Sequence, residues 1–179
     1  MNIGEFARKA APVIYTTSDA GAKYLYNYLN KTGQTDWLDN VMAEYLAFKY
    51  VIATEEIRSN VSDKEQFNDI FYTLSLELKN GMERMPASMN YGLTFDSFVS
   101  TSYEYSSKNS LEMAFMFQVR TYVIPATVAQ ELYNITRQDV INSFARVLNG
   151  QSANAGCGCA SAIACMALLA VMILCIVVL

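Results

Sequence analysis

At 179 residues and 53% apolar content, the chain is long enough to bury a real core and short enough for one ordinary domain beside its apolar C-terminal stretch. Its 13 lysines and arginines against 17 aspartates and glutamates give a net charge of −4 and a pI near 4.8, without the basic face that nucleic-acid binding needs. The absence of histidine removes the commonest metal ligand and the commonest general acid–base together.

Residues 1–12 hold too short an apolar run for a signal peptide, and Gly4 is not at position two, so the myristoylation pattern is absent. The first predicted helix follows the N-cap pair Ser18-Asp19, with Ala22, Leu25, Tyr26 and Leu29 on one face and Gly33 as its stop. A second covers residues 36–59, where Leu38, Val41, Met42, Tyr45, Phe48 and Ile52 share a broad face. Tyr50, Val51 and Ala53 make its middle apolar nearly all round, which places that middle centrally. Ser62 and Glu65 match a capping box. Phe67, Ile70, Phe71, Leu74 and Leu78 then form a clean helical stripe that Asn80-Gly81 closes, and residues 82–89 are a connection carrying Pro86.

Residues 90–105 fit two periods. Tyr91, Phe95, Phe98 and Ser102 align as a helix; Leu93, Phe95, Ser97, Val99 and Thr101 align as a strand. Leu111, Ala114, Phe115, Gln118 and Tyr122 predict another helix, interrupted at Pro125. Val128, Leu132 and Ile135 continue the spacing, and Thr136 to Asp139 resembles a capping box that opens a last helix through Val140, Phe144 and Leu148, ended by Gly150. The expected fold is all-α: a bundle of about seven helices over residues 1–150.

Residues 151–159 are small and polar, a flexible tether, and residues 160–179 carry no charge and no proline. Twenty apolar residues at 1.5 Å of rise cross a hydrocarbon core of about 30 Å, so this stretch is expected to be a transmembrane tail anchor. All four cysteines lie here. Cys157 and Cys159 at the membrane edge are candidates for palmitoylation, or simply small residues in a flexible entry, and they are too few for a zinc site.

No phosphate loop, nucleophile elbow or dinucleotide fingerprint occurs, and no cofactor or metal is expected. Glu55 and Glu56 are adjacent and so point to different sides of a helix. Ser100, Thr101 and Ser102 have no histidine to activate them. The chain is not expected to be an enzyme.

The order Glu77-Leu78-Lys79-Asn80-Gly81, then Asn90-Tyr91-Gly92, inside a helical domain followed by a hydrophobic tail, resembles the B-cell-lymphoma-2 (Bcl-2) family of apoptosis regulators. That family's first homology motif reads ELF-x-DG…NWGR, and residues 137–150 stand where its second motif falls, with Phe144 as aromatic anchor. The sequence departs from the pattern in several places. Leu93 replaces the motif arginine, the second motif lacks its tryptophan, and no LxxxGD sequence occurs in residues 36–59. The last absence tilts the resemblance toward survival proteins, and the overall divergence resembles virus-encoded members.

The resemblance implies an apoptosis inhibitor at the outer mitochondrial or endoplasmic reticulum membrane, its domain facing the cytosol. Its partners would be pro-apoptotic proteins of the family, bound through their amphipathic Bcl-2-homology-3 helices in a hydrophobic groove. Asn90 and Gly92 carry over from the motif and Tyr91 replaces its tryptophan, while Phe71, Leu74, Leu78, Phe95 and Phe98 are groove candidates by position. Core packing, the commoner role for residues on a helical stripe, competes strongly for each of these five. A rival resemblance, to mono-ADP-ribosyltransferases, rests on Thr94 to Ser102 as an FxSTS-like strand, but no Glu-x-Glu follows. A third possibility is a tail-anchored structural or viral membrane protein without a groove.

Overall fold

A computed structural model describes residues 2–86, 91, 93–106 and 124–150. Among them it is all-helical: α1 (Ile3–Tyr15), α2 (Ala20–Thr32), a 3-10 turn (Thr35–Trp37), α3 (Leu38–Asn60), α4 (Lys64–Arg84), α5 (Phe95–Ser106) and α6 (Ala126–Leu148). The expected helix around Leu111–Tyr122, the Cys157/Cys159 pair, the tether and residues 160–179 lie outside the described residues. Among those described, no helix is long and apolar enough to cross a membrane.

The centre is α3, where nine consecutive residues from Tyr45 to Ala53 are buried, so no side of the helix middle faces water. Helices α1, α2, α4, α5 and α6 all pack on it. Helix α1 also lies along α4 and against α6, and α2 lies against α6. A helix apolar all round can only be stable as the element the others cover, which is the arrangement observed.

Helix α1 has no counterpart in the expectations from sequence. Pro12 sits inside it, offers no N–H to the Arg8 carbonyl, and reads locally as a break. Two things hold the helix. The Asn2 side chain caps it by accepting from the Glu5 amide at 2.8 Å, and Ala7, Ala10, Ala11, Val13 and Ile14 are buried.

Three boundaries also differ. The cap of α4 is Asp63, whose carboxylate accepts from the Gln66 amide at 2.7 Å, in place of Ser62. Gly81 does not end α4, which runs on to Arg84. Its missing side chain instead admits the Tyr15 ring of α1, whose Cζ would lie 3.0 Å from a Cβ at this position. Thr136 caps nothing: α6 is one helix from Pro125 onward, and Thr136 is fully buried in its middle.

Helix wins over strand for residues 95–106. Phe98 and Ser102, one turn apart, are buried together, and the Ser102 hydroxyl donates to the Phe98 carbonyl at 2.7 Å. The strand on which the ADP-ribosyltransferase resemblance depends is therefore a helix.

Candidate functional site

Helices α4 and α5 flank Tyr50 of α3, and their aromatic residues form a continuous row across it. Phe67 and Phe71 stack at 6.0 Å between ring centroids; Phe71 lies 6.2 Å from Tyr50, Tyr50 5.1 Å from Phe98, and Phe98 6.3 Å from Phe95. The Arg58 guanidinium sits 4.9 Å from the Phe67 centroid and closes that end with a cation–π contact. The Tyr50 hydroxyl shares a 3.2 Å hydrogen bond with Ser75 of α4, which satisfies the one polar atom in the row. Burial pushes its pKa up, against the opposing pull of Ser75 and Thr54.

The five positional candidates divide across this row. Leu74, Leu78 and Phe98 are enclosed in the core at 0–1% exposure. Phe71 is 38% exposed and Phe95 half-buried, so these two present apolar surface. Tyr91 is half-buried, with its hydroxyl 3.2 Å from that of Thr17 in the α1–α2 link and a φ of 52° in the left-handed region. For a side chain of this size that conformation is strained, by about 1–2 kcal/mol. Asn90 and Gly92 lie outside the described residues.

Of seven exposed large apolar side chains among the described residues, five belong to α4 and α5: Phe71, Tyr72, Leu76, Val99 and Tyr103. Where the end of α4 meets the start of α5, a recess of about 370 Å³ adjoins the row. Met82, Met85, Leu93 and Phe95 supply apolar lining, while Lys79, Glu83 and Asp96 supply charge. Leu93, at the motif's arginine position, therefore belongs to a recess with more acid than base.

A buried polar cluster centred on Lys49 lies on the other side of α3, and of its contacts the expectations from sequence include only the Asp19 cap. Lys49, 1% exposed, donates to the Asp19 carboxylate at 2.5 Å and to the Thr16 carbonyl at 3.0 Å. The other Asp19 oxygen accepts from the Tyr45 hydroxyl at 2.5 Å and from the Ala22 amide at 2.8 Å, so one carboxylate caps α2 and neutralises a buried lysine. From α6, Thr136 approaches the Tyr45 oxygen at 3.4 Å and Asp139 accepts from the Ala20 amide at 2.7 Å. Gly21 leaves room for this convergence: a Cβ there would meet the Thr136 hydroxyl at 2.6 Å and the Tyr45 hydroxyl closer still.

Burial pushes the Lys49 ammonium's pKa down while Asp19 beside it pulls the other way. Burial, then Asp19, raise that of Tyr45 well above its usual range. Enclosed, with two of its three N–H groups on Thr16 and Asp19, the Lys49 amine fastens α2 to α3. The signal in the sequence was a lone lysine within an apolar run. Glu56 and Glu55 behave as their adjacency implies: Glu56 is nearly buried and pairs with Arg137 of α6, while Glu55 is exposed. No protein-family model, no curated protein and no solved structure matches the chain.

Proposed function

We propose that the domain is a receptor for an amphipathic helix, laid along the aromatic face of α4 and α5. By the resemblance of its motifs, the partner is a Bcl-2-homology-3 helix and the outcome is inhibition of apoptosis. The observation that carries this reading is the concentration of exposed large apolar side chains on α4 and α5. Exposed large apolar side chains concentrated on two neighbouring helices are costly to leave in water and support an interaction site there. An amphipathic helix covers such a face with anchors at i, i+3/i+4 and i+7. Phe71 and Phe95 are the contact residues in this reading, over a floor of Leu74, Leu78 and Phe98. With Leu93 in place of arginine, affinity rests on apolar burial more than on pairing with an acidic partner residue.

Residues 160–179 would hold the domain at an intracellular membrane, outer mitochondrial or endoplasmic reticulum. Confinement there raises the effective concentration of the face against membrane-bound partners. Lipidation at Cys157 or Cys159 would add a second anchor.

Calorimetric titration of the chain in nanodiscs against a panel of Bcl-2-homology-3 peptides tests the reading. The expected result is binding of some peptides at micromolar affinity or tighter, about −8 kcal/mol, weakened at least roughly tenfold by Phe71→Ala. A folded, helical protein that binds none of the panel refutes it.

A further inference from the structure

The seam between α1 and α4 opens into a second recess, of about 340 Å³, which the helix-receptor reading does not use. Arg8 of α1 and Arg84 of α4 both line it, and neither has an ion-pair partner among the described residues. By contrast Lys9, Lys49 and Arg137 are each paired with a carboxylate. Two guanidiniums on one concave surface repel each other, and an anion between them reverses the sign of that interaction. Tyr15 and Asn80 line the same space. Burial, then Glu77, push the Tyr15 hydroxyl's pKa up against the opposing pull of Arg84, and the protonated hydroxyl is a hydrogen-bond donor.

We propose that this recess binds the phosphate of a hydroxyl-bearing phosphate ester, held between Arg8 and Arg84. Guanidinium matches phosphate oxygens with two parallel hydrogen bonds, which makes arginine better suited than lysine to this role. Tyr15 and Asn80 donate without adding charge. Glu77 also lines the recess and leaves it a net charge of +1, two arginines less one glutamate. Its carboxylate repels a second anionic group and accepts from a ligand hydroxyl, which selects an ester carrying hydroxyls over a polyanion. At about 340 Å³ the recess has room for a phosphate with part of its ester body. With a net charge of −4, the chain as a whole offers anions no general attraction, so binding must come from this local arrangement.

Such a phosphate reaches the protein from two sources, a soluble ester or a lipid headgroup, and two arms of one experiment separate them. In the first, the chain in nanodiscs of uncharged lipid is titrated with glycerol 3-phosphate, with sodium chloride at equal ionic strength as control. In the second, phosphatidylglycerol or phosphatidylinositol is built into the nanodisc. Arginine side-chain N–H signals report binding by NMR. The expected result is a saturable shift of the Arg8 and Arg84 signals in at least one arm. Arg84→Gln, an exposed change in the last turn of α4, weakens it at least roughly tenfold, and Lys31→Gln leaves it unchanged. A response in the soluble arm alone assigns a phosphate ester; in the lipid arm alone, a headgroup. No saturable shift in either arm, a response matched by chloride, or equal weakening by Lys31→Gln overturns the proposal.

Discussion

Replacing Asp19 by alanine removes three interactions at once: the partner of buried Lys49, the acceptor of the Tyr45 hydroxyl, and the cap on the Ala22 amide; the first two are what tie α2 to α3. Breaking a buried ion pair by deleting one member costs about 3–5 kcal/mol, because the surviving charge is stranded. Losing the N-cap adds about 1 kcal/mol. The sum, about 4–6 kcal/mol, is a large part of the 5–15 kcal/mol that holds a typical domain folded. Lys49→Met strands the Asp19 carboxylate instead, but that group keeps the Tyr45 hydroxyl and the Ala22 amide as donors and still caps α2, so it should cost less than Asp19→Ala. The decisive comparison is the double change. If the unpaired ammonium is the liability, Asp19→Ala with Lys49→Met is more stable than Asp19→Ala alone, as read by urea denaturation followed by helical circular dichroism.

A pH dependence follows for the single Asp19→Ala variant. Burial already pushes the Lys49 pKa down, and without Asp19 the chief opposing pull is gone, leaving the smaller one of Asp139. The unfolded chain then holds the Lys49 proton more tightly than the folded one, so stability climbs as pH rises toward the usual lysine value of 10.5. A double variant no more stable than Asp19→Ala, or an Asp19→Ala variant whose stability does not rise with pH, would refute the reasoning.

Core and contact residues on α4 should separate cleanly. Leu74→Ala, at 0% exposure, is expected to cost about 2–5 kcal/mol in urea denaturation. Phe71→Ala should cost clearly less, yet weaken peptide binding in calorimetry. Gly21→Ala drives a methyl into the Thr136 and Tyr45 hydroxyls and should lower stability by about 1–3 kcal/mol in the same assay. Gly33→Ala meets no neighbour within 4 Å but carries a φ of 70°, so its cost should be about 1–2 kcal/mol and purely conformational. At high pH, Tyr24 reports through its hydrogen bond to Glu131: burial, then this carboxylate, push its pKa up to about 12. The unfolded tyrosine ionises from its ordinary 10.0, so this contribution to stability is present below pH 10 and lost as pH rises toward 12. Tyr24→Phe should flatten that part of the pH–stability curve.

Where one face of a helix packs and both ends are signed, the sequence was enough. Asp19 and Gly33 bracket α2 as their types imply, and the apolar run through Tyr50 foretold the central place of α3. What went unread depends on contacts distant in the chain. Pro12 argues locally against α1, and only burial against α4 and α6 outweighs it. Thr136 looks like a cap until Tyr45, 91 residues away, is found beside it. Gly81 looks like a stop until the Tyr15 ring is found in its place. The candidate groove residues were harder still, since Phe71 and Leu74 share one stripe, and only the position of α3 decides which of them meets water.

The many-sided seating of α6 has a mechanical consequence. This helix leads to residues 149–150 and so is the first to feel any pull transmitted from the segment that follows. Phe144 lies edge-on to Phe6 of α1, Asp139 holds the first amide of α2, Glu131 takes the Tyr24 hydroxyl, and Arg137 pairs with Glu56 of α3. Tension at Asn149 is thus shared among three neighbouring helices along almost the full length of α6. The domain resists such a load as one body, and its exit point behaves as a rivet driven through the bundle.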